Sequence, residues 1–221
     1  MNIEQARFNM IEQQIRPWDV LDHGVLSLLA MVRREDFVPP SYKAMAFVDA
    51  EVPLAPGGHE GQCMLAPRVE ARLLQESHVQ RHERVLEIGA GSGFMAALLA
   101  HRAQSVITLE RMPALAEMAA ANLRRAGVLN ASVREMDGVR GLSNEAPFDL
   151  IMLSGSVSEV PQVLIEQIKI GGRLLAIVGQ EPVMRAVRIT RLSATALQSE
   201  DLFDTVAPRL IGIAEPSRFT F

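Results

Sequence analysis

Cysteine is almost missing: Cys63 is the single one in 221 residues. No internal disulfide can form, and a reducing cytoplasm is the expected compartment. Basic excess is missing too. A formal net charge of −4 argues against a surface built to neutralise nucleic-acid phosphates or to coat an anionic membrane. Neither nucleic acid nor membrane is an expected partner. Arg, Glu or Gln interrupts every apolar run, so no stretch approaches the roughly 20 residues that a membrane-spanning helix needs. The first residues carry charges where a secretory signal needs an apolar stretch. No Ser-His-Asp arrangement stands out. His78 and His82 have the i, i+4 spacing of a helical metal pair but lack a third ligand, so no metal is expected. With 48% hydrophobic and 22% charged residues, the chain reads as one globular domain over 1–221, long enough to bury a sizeable core.

The first part, 1–80, reads as a helical extension. Ile3, Ala6, Met10, Ile11 and Gln14 share one helical face over 3–15, which Pro17 ends. A second apolar helix over 20–32 carries Val25, Leu26, Leu28, Leu29 and Met31. Prolines and glycines crowd 37–62 and predict a long irregular segment, kept ordered by interleaved Phe37, Tyr42, Phe47, Val48, Val52 and Leu54. A helix is expected over 67–77.

From residue 81 strands and helices alternate. Strands are expected at 84–88, 105–109, 131–135, 148–153 and 173–178, with helices at 93–102, 114–126 and 160–168 between them. The β-like runs 186–192, 202–206 and 217–221 would close an antiparallel edge. The pattern predicts an α/β fold: a doubly wound, mostly parallel, seven-stranded sheet with helices on both faces.

The sharpest feature is Glu87-Ile88-Gly89-Ala90-Gly91-Ser92-Gly93, where the first strand turns into its helix. Glycines let the backbone approach a ligand, and the N–H groups of a new helix receive polar oxygens. A dinucleotide fingerprint needs a third glycine where Phe94 stands, whereas Gly93 gives the G-x-G-x-G spacing of S-adenosylmethionine sites. Glu87 suits a cofactor carrying an ammonium and a sulfonium but no pyrophosphate. Glu110, beside Arg111, ends the second strand and can accept from two ribose hydroxyls. Asp137, followed by Gly138, could accept from an adenine amine, with Met136 on the ring. Each acid alone is ordinary surface or turn chemistry. Together they mark the C-terminal ends of three successive strands, where ligands of open α/β sheets bind. Ser154, after the fourth strand, would face the transferred group. Cys63 has no basic neighbour in sequence and reads as a buried structural thiol, and Gly171-Gly172 as a helix-to-strand turn.

These residues resemble the protein-L-isoaspartate O-methyltransferases, a family of Rossmann-like S-adenosylmethionine-dependent methyltransferases, over about 6–178. The general class rests on the 85–93 run, Glu110, Asp137-Gly138, Ala146-Pro147-Phe148-Asp149 and Gly171-Gly172. The particular family rests on Val32-Arg33-Arg34-Glu35-Asp36-Phe37-Val38-Pro39, like its V-P-R-x-x-F-V-P, and on Asp49-x-x-Val52-Pro53-Leu54, like its D-x-x-L-P-I. The resemblance implies S-adenosylmethionine as cofactor, an isoaspartyl peptide or protein as acceptor, and a role in protein repair. It also places the substrate loop at Gly61-Gln62-Cys63-Met64-Leu65-Ala66-Pro67, against the family's G-Q-T-I-S-Q-P. Cys63, Leu65 and Ala66 there remove two hydroxyls and an amide. Ala207-Pro208-Arg209-Leu210 likewise departs from R-F-V-P-L. Three readings therefore stay open: isoaspartyl repair, methylation of a more apolar acceptor, and cofactor binding without turnover.

Overall fold

The computed structural model describes residues 2–55 and 61–213; the run at 217–221 lies outside them. Its centre is a seven-stranded sheet built from β3 (Arg84–Ile88), β4 (Ser105–Glu110), β5 (Ala131–Glu135), β6 (Phe148–Val157), β7 (Ile168–Gln180), β8 (Val183–Arg191) and β9 (Leu197–Thr205). Their order is β5-β4-β3-β6-β7-β8-β9. The pairs from β5 to β7 are parallel, and β8 and β9 add an antiparallel edge. The chain leaves β3 toward β4 and β5, then returns to β3's other side with β6. That reversal opens a crevice at the C-terminal ends of β3, β4 and β6.

Helices cover both faces because the parallel strands are apolar on both. Leu86, Leu150, Ile151, Met152, Leu174 and Leu175 are fully buried. One face receives α4 (Phe94–Ala100), whose seven residues are all buried, and α5 (Pro113–Arg125), which starts with Pro at its first turn and ends in Arg124 and Arg125, the charge its C-terminal dipole favours.

The same hydrophobic cluster holds the leading segment. In α1 (Ile3–Met10) only Met10 is buried, while Ile3 is exposed. The helix then widens into a π turn at Ile11–Ile15 and tightens to a 3-10 turn at Arg16–Trp18. Pro17 therefore sits inside a 3-10 turn rather than after a continuous helix, and Ile15 joins the core in place of Ile3. The second helix, α2 (His23–Met31), starts later than its apolar pattern because Asp22 caps it by accepting from the Val25 amide at 2.8 Å. It buries Val25, Leu26, Leu28 and Leu29 and leaves Met31 exposed. In α3 (Pro67–Ser77), Val69, Leu73 and Leu74 join the same cluster. The irregular segment contains a small antiparallel pair, β1 (Val52–Pro53) with β2 (Cys63–Met64).

Since Met10, Leu28, Leu74, Leu98 and Leu150 belong to one buried cluster, we expect the leader and the sheet to unfold together. Limited proteolysis should yield no stable fragment from about residue 80 onward, and recovery of one would make the leader separable.

Candidate active site

The structure brings Glu110 and Asp137 to one cleft with an empty volume of about 650 Å³, and Glu87 to a smaller pocket that shares Cys63, Gly89, Gly91 and Ser154 with it. Glu87 is in β3, Glu110 closes β4, and Asp137 follows β5. Glu87 is wholly buried. Its Oε1 accepts from the Ser154 hydroxyl at 2.6 Å, while Oε2 is buried without a hydrogen-bond partner. Burial pushes the Glu87 carboxyl up to about 7, opposed by the Ser154 and Thr108 hydroxyls and assisted by the Glu110 charge. Thr108 lies close enough to pull on that carboxyl without completing a hydrogen bond, its own hydroxyl being unpartnered. A buried carboxyl with a spare acceptor and a raised pKa marks a place for a cationic ligand group.

Glu110 is held from both sides: Oε2 accepts from the Gly91 amide at 2.9 Å and Oε1 from the Met112 amide at 3.0 Å. Each carboxylate oxygen keeps a further lone pair for a hydroxyl donor. Arg111 and Asp137 both line the cleft and approach to 3.8 Å; both are more exposed than Glu87. Gly89 and Gly91 adopt positive φ values of 93° and 52°. A Cβ on Gly89 would stand 2.8 Å from Leu210, and one on Gly91 3.3 Å from Leu54, so only glycine leaves the turn open to a ligand.

Two expected cofactor residues lie elsewhere. Gly93 does not line the cleft; its φ is 82°, and a Cβ would meet Ala119 at 3.1–3.3 Å. It lets α4 and α5 pack closely. Met136 is also absent from the lining. Its amide donates to the Glu110 carbonyl at 2.8 Å, which leaves the side chain exposed. Gly138 does line the cleft, and Ala90 lines a smaller pocket that shares Gly89, Gly91 and Ser154 with it.

The 63–65 loop closes that smaller pocket. Cys63, Met64 and Leu65 line it with Glu87 and Phe94, while Gln62 and Cys63 reach the main cleft. Cys63 is half-buried rather than a core thiol, because its Sγ faces Glu51 Oε2 at 3.6 Å. Burial and then the Glu51 charge push its thiol up to about 12, so it stays protonated and is no nucleophile.

Ser154, expected at the end of the fourth strand, belongs to β6, which runs on to Val157. A tail segment extends the pairing: Ser156 donates its amide to Pro208 O at 2.8 Å and its hydroxyl to Ala207 O at 2.7 Å. Leu210 donates back to Ser156 O at 2.9 Å. This docking brings Arg209, Leu210, Ile211 and Ile213 into the cleft wall. None of them was a candidate on sequence grounds; the departure at 207–210 was the sole signal.

The family model for protein-L-isoaspartate(D-aspartate) O-methyltransferase matches residues 5–206. The chain belongs to this family. It is 41% identical over 207 residues to protein-L-isoaspartate O-methyltransferase 1 of Rhodopseudomonas palustris, covering 93% of this chain and 83% of that one. Among solved structures, a protein-L-isoaspartate O-methyltransferase superposes with a TM-score of 0.79 at 23% identity, over 96% of this chain and 66% of the other. A β-aspartate methyltransferase from Plasmodium falciparum, in complex with S-adenosyl-L-homocysteine, superposes with a TM-score of 0.73 at 20% identity, over 94% and 97%. The Rossmann-like methyltransferase fold expected of the sequence is the fold found, and the family is one of S-adenosylmethionine-dependent methyltransferases.

If Glu110 receives ribose hydroxyls, Glu110→Gln removes the charge while keeping one acceptor. Affinity for S-adenosylhomocysteine should fall by about 0.5–1.5 kcal/mol, roughly two- to tenfold; unchanged calorimetric affinity would place the ribose elsewhere.

Proposed function

We propose that this protein transfers the methyl group of S-adenosylmethionine to the side-chain carboxylate of isoaspartyl residues in damaged proteins. The observation that carries the reading is the Glu87–Ser154 centre, with its unpartnered buried Oε2, in the small glycine-walled pocket that adjoins the cleft. The family membership supplies the acceptor class.

The residues fit the cofactor. Glu87 would hold its ammonium, Glu110 its ribose, Asp137 and Arg111 the base end, and Gly89 and Gly91 give room along its length. When bound, S-adenosylmethionine supplies a methyl group on a sulfonium, which an oxygen nucleophile displaces. A carboxylate with an ordinary pKa near ~4 is already ionised at neutral pH, so the protein has no proton to remove and no general base to provide. Its work is alignment and exclusion of water. The tail segment walls the cleft with Leu210 and Ile211, and Leu65 walls the adjoining pocket. Attack of an anion on a cation leaves two neutral products, so an apolar wall favours the step once the acceptor is in place.

Leu65 and Ala66 give a second reading its footing: an acceptor more apolar than a peptide carboxylate. Labelled-methyl incorporation into an isoaspartyl peptide, against its normal aspartyl counterpart, separates the two. Selective labelling of the isoaspartyl form is expected; binding of the cofactor with no transfer to either peptide would favour the second reading.

A further inference from the structure

Residues 207–213 follow the last strand and begin where the match to the family model ends, at Val206. They are moored on β6 and β7. Ser156 makes three hydrogen bonds with them, 2.7–2.9 Å long: its hydroxyl and amide donate to the carbonyls of Ala207 and Pro208, and its carbonyl accepts from the Leu210 amide. Arg209 Nη2 donates to the Gly179 carbonyl at 2.9 Å.

Leu210 then fills a slot cut by two glycines. Cβ atoms on Gly89, after β3, and on Gly155, in β6, would each stand 2.8 Å from its side chain. Further on, Gly212 turns at a φ of 95° over the pair assigned to the base end: a Cβ there would strike Arg111 Nη1 and stand 3.2 Å from Asp137 Oδ2. The loop that carries Gln62 and Cys63 meets the tail as well, since a Cβ on Gly61 would stand 3.1 Å from the Arg209 carbonyl oxygen. Tail and loop thus join over a cleft lined by the glycine turn and the strand ends. With the tail docked the cleft still has an empty volume of about 650 Å³, the size of an ordinary small-ligand site. A bound cofactor therefore leaves Leu210 in its slot, but it needs a way in.

We propose that residues 207–213 are a clasp on the cofactor cleft, keyed by Leu210 between Gly89 and Gly155. Ile211 and Ile213 cover the base end, and S-adenosylmethionine and its demethylated product pass only when the segment lifts from Ser156. A ligand that enters only the open form binds at a rate scaled by the fraction open, and it leaves no faster than the clasp opens. The key is made with and without ligand. Loosening it speeds both steps and leaves their ratio, the affinity, nearly as it was. A residue that merely touched the ligand would act on dissociation alone. The inference rests on the placement of the cofactor in this cleft and is independent of the acceptor.

Stopped-flow binding of S-adenosylhomocysteine to the full chain tests it. Leu210→Ala should raise the association and dissociation rates at least tenfold each, with Kd within threefold of wild type. Ser156→Ala, which removes one of the three bonds, should move both rates the same way by a smaller factor. In the unaltered protein, hydrogen exchange of the Leu210 amide should slow when the ligand is bound, while that of β8 and β9 stays the same; this readout needs no variant to fold. Wild-type rates in Leu210→Ala, a loss of affinity carried by dissociation alone, or exchange at Leu210 that ignores the ligand would overturn the clasp. Glu110→Gln keeps the two readings apart. Weakened binding there with wild-type rates in Leu210→Ala leaves the cofactor in the cleft and removes only the clasp, whereas no effect of either variant removes both.

Discussion

Glu87→Gln should weaken S-adenosylmethionine binding by about 10- to 150-fold, the roughly 1.5–3 kcal/mol of a hydrogen bond to a charged group, and should abolish its pH dependence. Burial holds the wild-type carboxyl protonated up to about pH 7, and a protonated carboxyl does not attract an ammonium. Below that pH the cofactor must first displace the proton, so wild-type affinity should fall about tenfold per unit as pH drops from 7 toward 5. Above it the affinity should level off. The ligand-free chain behaves in the opposite sense. A carboxyl whose folded pKa lies above its unfolded value of 4.5 makes the native state bind the extra proton. Stability then declines as pH rises from 4.5 to 7, and the full cost persists above. That cost is about 3 kcal/mol for a shift of this size. Glu87→Gln should therefore stabilise the empty protein at pH 8, where the charge is buried unpaired, and do little at pH 5. Calorimetric titrations at pH 6, 7 and 8, with thermal melts of the empty proteins, measure both effects. A wild-type affinity that is flat across this range, or a mutant that binds as tightly, would remove Glu87 from the cofactor site.

The acids of the strand ends are legible because the glycine turn and the strand ends are local patterns: Glu87, Glu110 and Asp137 fall at the ends of runs whose apolar alternation needs no partner to be seen. Ser154 lies in the expected strand, which runs past its apolar run to Val157. Gly155 and Ser156 look like loop residues, yet Ser156 and Val157 still pair with Ile177 and Val178 of β7, and residues 207–210 dock against Ser156. Gly93 carries the expected spacing, and its missing side chain makes room for Ala119 on α5. Tail and helix packing are both contacts between residues distant in sequence, and no local periodicity encodes them. The same holds for the buried Arg34–Glu70 pair, 36 residues apart. Each charge on its own reads as surface. The departures of the substrate loop, by contrast, were fully visible, and the structure adds that Leu65 is buried beside Glu87 in the pocket they change.

Restoring that loop should have the largest effect on acceptor use. With Leu65 in place, an acceptor carboxylate meets an apolar side chain where a hydroxyl could donate, and burying a charge with fewer partners is costly. The loss falls on binding of the acceptor rather than on the displacement itself, because the wall favours neutral products over separated charges. Removing an interaction common to ground and transition states raises KM and spares kcat. Wild type should therefore methylate an isoaspartyl peptide with a high KM. The combination of Cys63→Thr, Leu65→Ser and Ala66→Gln should lower that KM by about 10- to 150-fold, the worth of one hydrogen bond to a charged group, with kcat within a few-fold. Cofactor affinity should stay nearly unchanged, since the proposed contacts to that ligand are Glu87, Glu110 and the glycine turn, none of which is altered. Initial rates of labelled-methyl transfer over a range of peptide concentrations, for wild type and the triple variant, read both parameters. A low wild-type KM would mean that backbone donors already suffice. A triple variant that binds cofactor normally but gains nothing toward the peptide would show that the pocket is shaped for another acceptor, with Leu65 a contact to it and not a loss.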